Sequence, residues 1–288
     1  MQDLHQPIGC VGFGIMGSSM ARNLAKSGYP VLGFSRTRSK VEALAADGIS
    51  VSSPEQIGAK CHALLLSVSN GESVQEILFG NDGIAPRLAK GSLIIDTTTI
   101  APDEAVQLAS RCSALGLHFV DAPVTGGDVG ARNGTLTVMC GGSAEAIELA
   151  QPVLRCIGKK IVHVGPSGMG QMMKAVNQVA IGLGIVAMTE SLLLAERQGI
   201  DSALALEVLQ GGAAGSWAFS NYAPRLLAGD LKPGFDAAHM LKDLKIALQA
   251  SLEVCELPGL ALATELFEKL VSARTGVGNH ALIEAYKR

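Results

Sequence analysis

The segment Ile8-Gly9-Cys10-Val11-Gly12-Phe13-Gly14-Ile15-Met16-Gly17 constrains this 288-residue chain more than any other. An apolar run that breaks at glycine and passes at once into a helical period reads as a strand turning into a helix. The helical period lasts from Ile15 to Lys26 and stops at Ser27-Gly28. Residues 30–34 then read as a second strand and 38–46 as a second helix. Further strand candidates lie at 63–67, 93–96 and 118–122, with helical stretches between them, and two more at 135–140 and 160–164. Such alternation predicts a parallel sheet with helices on both faces.

The pattern changes near Gly165. Pro166-Ser167-Gly168 is turn chemistry, and residues 170–197 then form one helical stretch closed by Gln198-Gly199. The rest of the chain reads as helices only, at about 202–210, 217–228, 236–256, 260–274 and 280–287. The expected architecture is an α/β Rossmann domain (1–165) followed by an all-α C-terminal domain (166–288), linked by a long helix.

The glycines predict the ligand of the first domain. In a GxGxxG between strand and helix, Gly12 permits the tight turn, Gly14 lets the backbone approach a pyrophosphate, and Gly17 lets helix and strand pack closely. With Phe13, Ile15 and Met16 these residues form the expected dinucleotide-binding turn, the pyrophosphate lying at the positive end of the helix. The second strand indicates which dinucleotide. An acid at its end would bind a ribose 2′-hydroxyl, but here it runs Phe34-Ser35-Arg36-Thr37-Arg38 without one. Ser35, Arg36 and Thr37 offer hydrogen bonds and positive charge to a 2′-phosphate, so NADP(H) is expected over NAD(H).

Three other segments carry chemistry. Thr125-Gly126-Gly127 comes after a strand, where a turn can present N–H groups and a hydroxyl to a carboxylate. Lys174 lies one turn inside a helix rich in Met, Ala and Val; facing inward, it would be desolvated and suited to proton transfer. Asn177 and Gln178, three and four residues on, share its face and could orient the ammonium or a substrate. Lys242-Asp243-Leu244 places a charged pair in the helical domain, which by itself reads more readily as a surface ion pair.

Four stretches in order, GFGIMGSSMARNL (12–24), DAPVTGG (121–127), GMGQMMKAVNQ (168–178) and KDL (242–244), resemble the signatures of the β-hydroxyacid dehydrogenase family. That family includes 3-hydroxyisobutyrate dehydrogenases, tartronate semialdehyde reductases and glyoxylate/succinic semialdehyde reductases. The resemblance covers nearly the whole chain. It implies an NADP-dependent oxidoreductase that interconverts a small β-hydroxyacid and its oxo acid or semialdehyde, with Lys174 as general acid and base. It implies that Thr125, where the family usually has Ser, binds the substrate carboxylate with Gly126 and Gly127. It places Thr99 near the nicotinamide, and Lys242, with Asp243 beside it, near cofactor and substrate. Ser35-Arg36-Thr37 is similar to the Asn-Arg-Thr of NADP-preferring members. Trp217 is expected to line the substrate pocket, with simple helix packing as its alternative.

The chain also departs from the pattern. Many members carry Asn four residues after the lysine, where this chain has Gln178 preceded by Asn177, an order that tartronate semialdehyde reductases also show. The C-terminal Gly-x-x-Asp-x-Ser-Ala of many members is reduced to Gly278-Asn279-His280-Ala281. The Thr-Gly-Gly loop is closer to the hydroxyisobutyrate and tartronate semialdehyde enzymes than to the branch that reads Ser-Gly-Ser. Two alternatives are an imine reductase of similar fold, which generally lacks the lysine, and an idle NADP-binding sensor, which would not need it.

Composition narrows the partners. Hydrophobic residues are 48% of the chain and charged residues 17%, as in a folded globular protein. The formal net charge is −3 with no basic block, so nucleic acid is not the expected partner. The six cysteines are scattered without a CxxC pair, which fits reduced thiols in a cytoplasmic protein, apart from any organelle-targeting segment already removed. The apolar stretch 179–188 is about half a bilayer span and is expected inside a helical bundle, with no membrane partner. Such a helix needs cover on all sides, so a homodimer or dimer of dimers is expected. No metal is expected, because the six histidines show no ligand spacing.

Overall fold

A computed structural model describes residues 6–252 and 254–286. The chain divides into two compact units, Met1–Lys174 and Ala175–Arg288.

In the first unit β1 (Ile8–Val11), β2 (Val31–Phe34), β3 (Ile49–Val51), β4 (Ala63–Leu66), β5 (Leu93–Asp96) and β6 (His118–Asp121) lie parallel in the order β3-β2-β1-β4-β5-β6. This is the doubly wound order, in which the strand sequence reverses between β1 and β4 and leaves a crevice at their carboxyl ends. Beyond β6 the sheet continues through β8 (Leu136–Gly141), which runs antiparallel to β6 and to the short β7 (Val124–Thr125) and parallel to β9 (Gly158–Gly165).

Alternation along the strands explains why both faces are covered. Cys10, Leu65, Ile95 and Val120 bury against α1 (Ile15–Lys26) and, later in the chain, α7 (Ala144–Ile157). Val11, Leu64, Leu66, Ile94 and Phe119 bury with residues of α3 (Pro54–Lys60), α4 (Gly71–Phe79) and α5 (Pro102–Ala114). The helix expected over 38–46 is interrupted. It forms only α2 (Ser39–Glu42) and a 3-10 turn, Ala45–Asp47, that Gly48 ends in the left-handed region at φ 82°. The edge strand β3 comes after this turn and was not expected. The remaining helix of this unit is α6 (Gly127–Asn133).

Helix α8 (Met169–Arg197) is continuous over 29 residues. Its first turns belong to the first compact unit, which ends within α8 at Lys174. By length and composition α8 could cross a bilayer. Its middle, however, is built into the core of the helical unit through Ile185, Met188 and Leu192, which pack with Met240, Leu244, Phe267 and Leu270. Phe267 is wholly buried, which contributes about 2–3 kcal/mol.

The second unit continues through α9 (Ser202–Gly211), α10 (Ala223–Leu227), α11 (Ala237–Ser251) and α12 (Pro258–Ala273). Three expected helices are altered. The segment 217–228 is a π-helical turn, Ala218–Tyr222, leading into α10, with Pro224 in its first turn. Helix α11 ends at Ser251, short of the expected 256. The last segment is 3-10 helix, Asn279–Tyr286, and position 287 of the expected helix lies outside the described residues.

Candidate active site

The dinucleotide turn has the geometry its glycines predict. Gly12 sits at φ 94°, and a Cβ there would strike the Ser67 carbonyl just beyond β4. A Cβ on Gly17 would strike the Gly12 carbonyl, so helix α1 lies against the turn with no room for a side chain. Around Gly14, by contrast, a Cβ would meet nothing within 4 Å. The turn is therefore closed on the protein side and open outward, as approach of a pyrophosphate to the backbone requires. Phe13 is buried and its ring packs on Gly33, while Ile15 is half exposed and Met16 partly buried in the first turn of α1.

Beyond β2, Ser35 is half-buried and Arg36 and Thr37 are exposed. The Thr37 N–H donates to Ser35 Oγ at 3.2 Å, which folds the Ser-Arg-Thr segment back on itself. Arg38 is paired with Glu42 at 2.7 Å, whereas Arg36 takes part in no ion pair among the described residues. Its guanidinium is thus available to an anion.

The loops after β4 and β5 are braced together. Thr97 Oγ1 donates to the Leu66 carbonyl at 2.6 Å, and the Val68 N–H donates to Thr98 Oγ1 at 3.1 Å. Between these fixed residues and Ile100 stands Thr99, half-buried.

The Thr-Gly-Gly turn joins β7 to α6. Thr125 pairs with Thr137 across β7 and β8, and Gly126 and Gly127 both have positive φ, 127° and 66°. Only glycine takes two such positions in succession without strain. Lys174 reaches this turn from α8. It is 6% exposed, and its Nζ donates to the carbonyl of Val124 at 2.9 Å. The structure thus brings a buried ammonium to the residue before Thr125, at the carboxyl end of the sheet.

Asp121, which ends β6, accepts from the N–H groups of Gly168 at 2.8 Å and Gln171 at 3.1 Å. Burial pushes its carboxyl above the usual range, and these backbone hydrogen bonds oppose that shift. Neither Asp121 nor Gln171 stood out as a site residue in the sequence, where each belongs to a motif whose other members attract attention.

In the second unit Gln178 is 1% and Asp243 2% exposed. Gln178 Nε2 donates to Asp243 Oδ2 at 2.8 Å, and its Oε1 accepts from Asn177 Nδ2 at 2.9 Å. Lys242 Nζ stands 3.1 Å from Asp243 Oδ1. Asp243 is therefore the centre of a buried polar chain, not half of a surface ion pair. Trp217 is half exposed, with its ring edge-on to Tyr222 at 4.7 Å. Tyr222 in turn stacks on His280 at 5.5 Å.

Known proteins match the two parts of the chain separately. The family described as the NAD binding domain of 6-phosphogluconate dehydrogenase matches residues 7–165. The family described as NAD-binding of NADP-dependent 3-hydroxyisobutyrate dehydrogenase matches residues 168–286. An uncharacterized oxidoreductase of Synechocystis is 44% identical over 97% of this chain and 98% of its own. The 2-hydroxy-3-oxopropionate reductase of Escherichia coli is 35% identical, covering 96% of each chain. A 3-hydroxyisobutyrate dehydrogenase from Salmonella typhimurium has a solved structure similar to this one, with a TM-score of 0.90 and 29% identity over 98% of this chain and 99% of that one.

Proposed function

Because this chain belongs to the β-hydroxyacid dehydrogenase family and carries its nicotinamide-dinucleotide-binding domain, we propose that it uses NADP(H) to interconvert a small β-hydroxyacid and the matching oxo acid or semialdehyde. The observation that carries this reading is the buried ammonium of Lys174 beside the Thr125-Gly126-Gly127 turn. The bound cofactor supplies or accepts the hydride. Lys174 donates a proton to the carbonyl oxygen in reduction and takes it from the hydroxyl in oxidation, a contribution of about 10²–10⁴ in rate. The Thr125 hydroxyl and the N–H groups of Gly126 and Gly127 hold the substrate carboxylate. Arg36, with Ser35 and Thr37, holds a 2′-phosphate and so selects NADP(H). Asn177 and Gln178 orient groups around Lys174, Lys242 and Asp243 keep the cofactor-proximal role that the resemblance implies, and Trp217 lines the substrate pocket. The substrate is of the 3-hydroxyisobutyrate or tartronate semialdehyde kind, a class to which the substrate named for the Escherichia coli relative belongs.

We also propose that the protein works as a homodimer or dimer of dimers. In support, α8 exposes Met169, Met173, Val176, Ala180, Leu183 and Ala187 at alternating spacings of four and three residues. A stripe of this period suits packing against another helix, and a second copy would supply one. A monomer by light scattering at micromolar concentration would overturn this.

The test of the reaction is to monitor NADPH or NADH absorbance with methylmalonate, tartronate and succinic semialdehydes, glyoxylate and a cyclic imine. NADPH oxidation with an oxo acid, lost at least about a hundredfold in Lys174→Ala, is the expected result. Turnover of the imine alone, or tight NADPH binding with no turnover of the panel, would reject it.

A further inference from the structure

The first turn of α8 is held at two points, and the second involves a side chain with no assigned role. Gln171 is wholly buried. Its Oε1 accepts from the Ile100 N–H at 3.2 Å, and its Nε2 donates to the Thr98 carbonyl at 2.7 Å. These two bonds bracket Thr99. At the same residue the backbone N–H donates to Asp121. Thr98–Ile100 lies just beyond β5 and Asp121 ends β6, and the two strands are neighbours with Asp96 in register with Asp121. The helix therefore straddles two adjacent strand ends. It does so without slack, since a Cβ on Gly170 would meet the Met139 carbonyl at 2.5 Å and that of Asp121 at 2.6 Å. Lys174 lies three residues beyond Gln171, a neighbour on the helix surface.

We propose that Gln171 is a positioning residue that sets Lys174 in register with the Thr98–Ile100 segment. The inference rests on the reading of Lys174 as the proton-transfer group. An uncharged amide suits the task because it donates and accepts at once. A methionine of similar length cannot donate and accepts only weakly through its sulfur, and an ionised glutamate only accepts.

The test uses Gln171→Met and Gln171→Glu beside the full-length wild type. One readout needs no turnover: the rate at which acetic anhydride labels Lys174 in the nucleotide-free folded protein, measured by mass spectrometry. Labelling is expected to accelerate severalfold in Gln171→Met. In assays kcat is expected to fall on the order of a hundredfold, the cost of about 1 Å of misplacement, with KM for the oxo acid little changed. Gln171→Glu covers the case in which the methionine variant does not fold. Its kcat relative to wild type should recover on acidification, as the protonated carboxyl regains a donor. A lowered thermal midpoint with unchanged labelling, kcat and relative pH profile would show a merely structural residue and overturn the proposal. Labelling reads the clamp even if no oxo acid is turned over, so failure of the proposed reaction and failure of this inference are separate results.

Discussion

Asn23 and Ala131 tie the dinucleotide-binding helix to the helix that begins at the Thr-Gly-Gly turn. Asn23 Nδ2, on α1, donates to the Ala131 carbonyl of α6 at 2.8 Å, and both residues are buried. Each helix starts at one of the two glycine turns, so this bond fixes the turns relative to each other. Asn23→Leu keeps the branched shape of the side chain at a larger volume and leaves the Ala131 carbonyl with only the long 3.5 Å bond from the Gly134 N–H. The expected loss of stability is about 1–3 kcal/mol, read from urea unfolding. KM should rise for both nucleotide and oxo acid. A rise confined to one of them would mean that the turns are held independently.

In the proposed reading Arg36 carries the preference for a phosphorylated ribose. Charge-assisted hydrogen bonds to phosphate are worth enough that Arg36→Ala should weaken NADPH binding about tenfold or more. NADH binding should stay nearly constant. The check is a pair of fluorescence titrations at two salt concentrations, because an exposed guanidinium is screened by salt. Equal losses for both nucleotides would place Arg36 on the adenine instead of the 2′-phosphate.

The candidate-site segments stood out in the sequence because each is local. A strand, three glycines and a helix are contiguous from Ile8 to Lys26, and the structure has β1 and α1 at those bounds. The apolar neighbours of Lys174 allowed an inward position, and the resemblance, not the local pattern, favoured it. The hidden features are long-range or short. Strands β3 and β7 have three and two residues, too few to show a period. The burial of Asp243 depends on Gln178, 65 positions away, and the Asp121 bond to Gln171 spans 50. No local pattern announces such pairings. The segment 217–228 keeps a helical period, but Pro224 cannot donate the next hydrogen bond, and the backbone there passes through a π turn.

Asp243 should be a stability residue as much as a site residue. Removing it leaves the Gln178 amide and the Lys242 ammonium, 27% exposed, without their shared carboxylate. Asp243→Ala is expected to cost about 2–4 kcal/mol, less than for a fully buried pair because Lys242 reaches solvent. Lys242→Ala should cost less, since Asp243 still accepts from Gln178. Urea midpoints of the two variants decide this; equal losses would mean that the ion pair, not the amide bond, dominates.

His280 should make stability depend on pH in one direction. The ring is wholly buried, and its Nε2 lies 2.7 Å from the Asp230 carbonyl, which can only accept. Nε2 therefore carries the proton, and charging the ring would put a second one on Nδ1, which has no hydrogen-bond partner among the described residues. Burial holds the pKa below its ordinary 6.5; the nearby Arg225 acts the same way, while the Asp230 carbonyl and carboxylate oppose it. As pH falls below 6.5 the unfolded chain takes up a proton that the folded ring refuses, so the unfolded state binds more protons. Stability contributed by neutral His280 is thus complete above about pH 6.5 and is lost toward acid, by at most about 1.4 kcal/mol per pH unit. His280→Gln should flatten this part of the profile. Thermal unfolding of both proteins from pH 5 to 8 reads the difference, and parallel profiles would show that the ring is protonated as easily in the folded state as in the unfolded one.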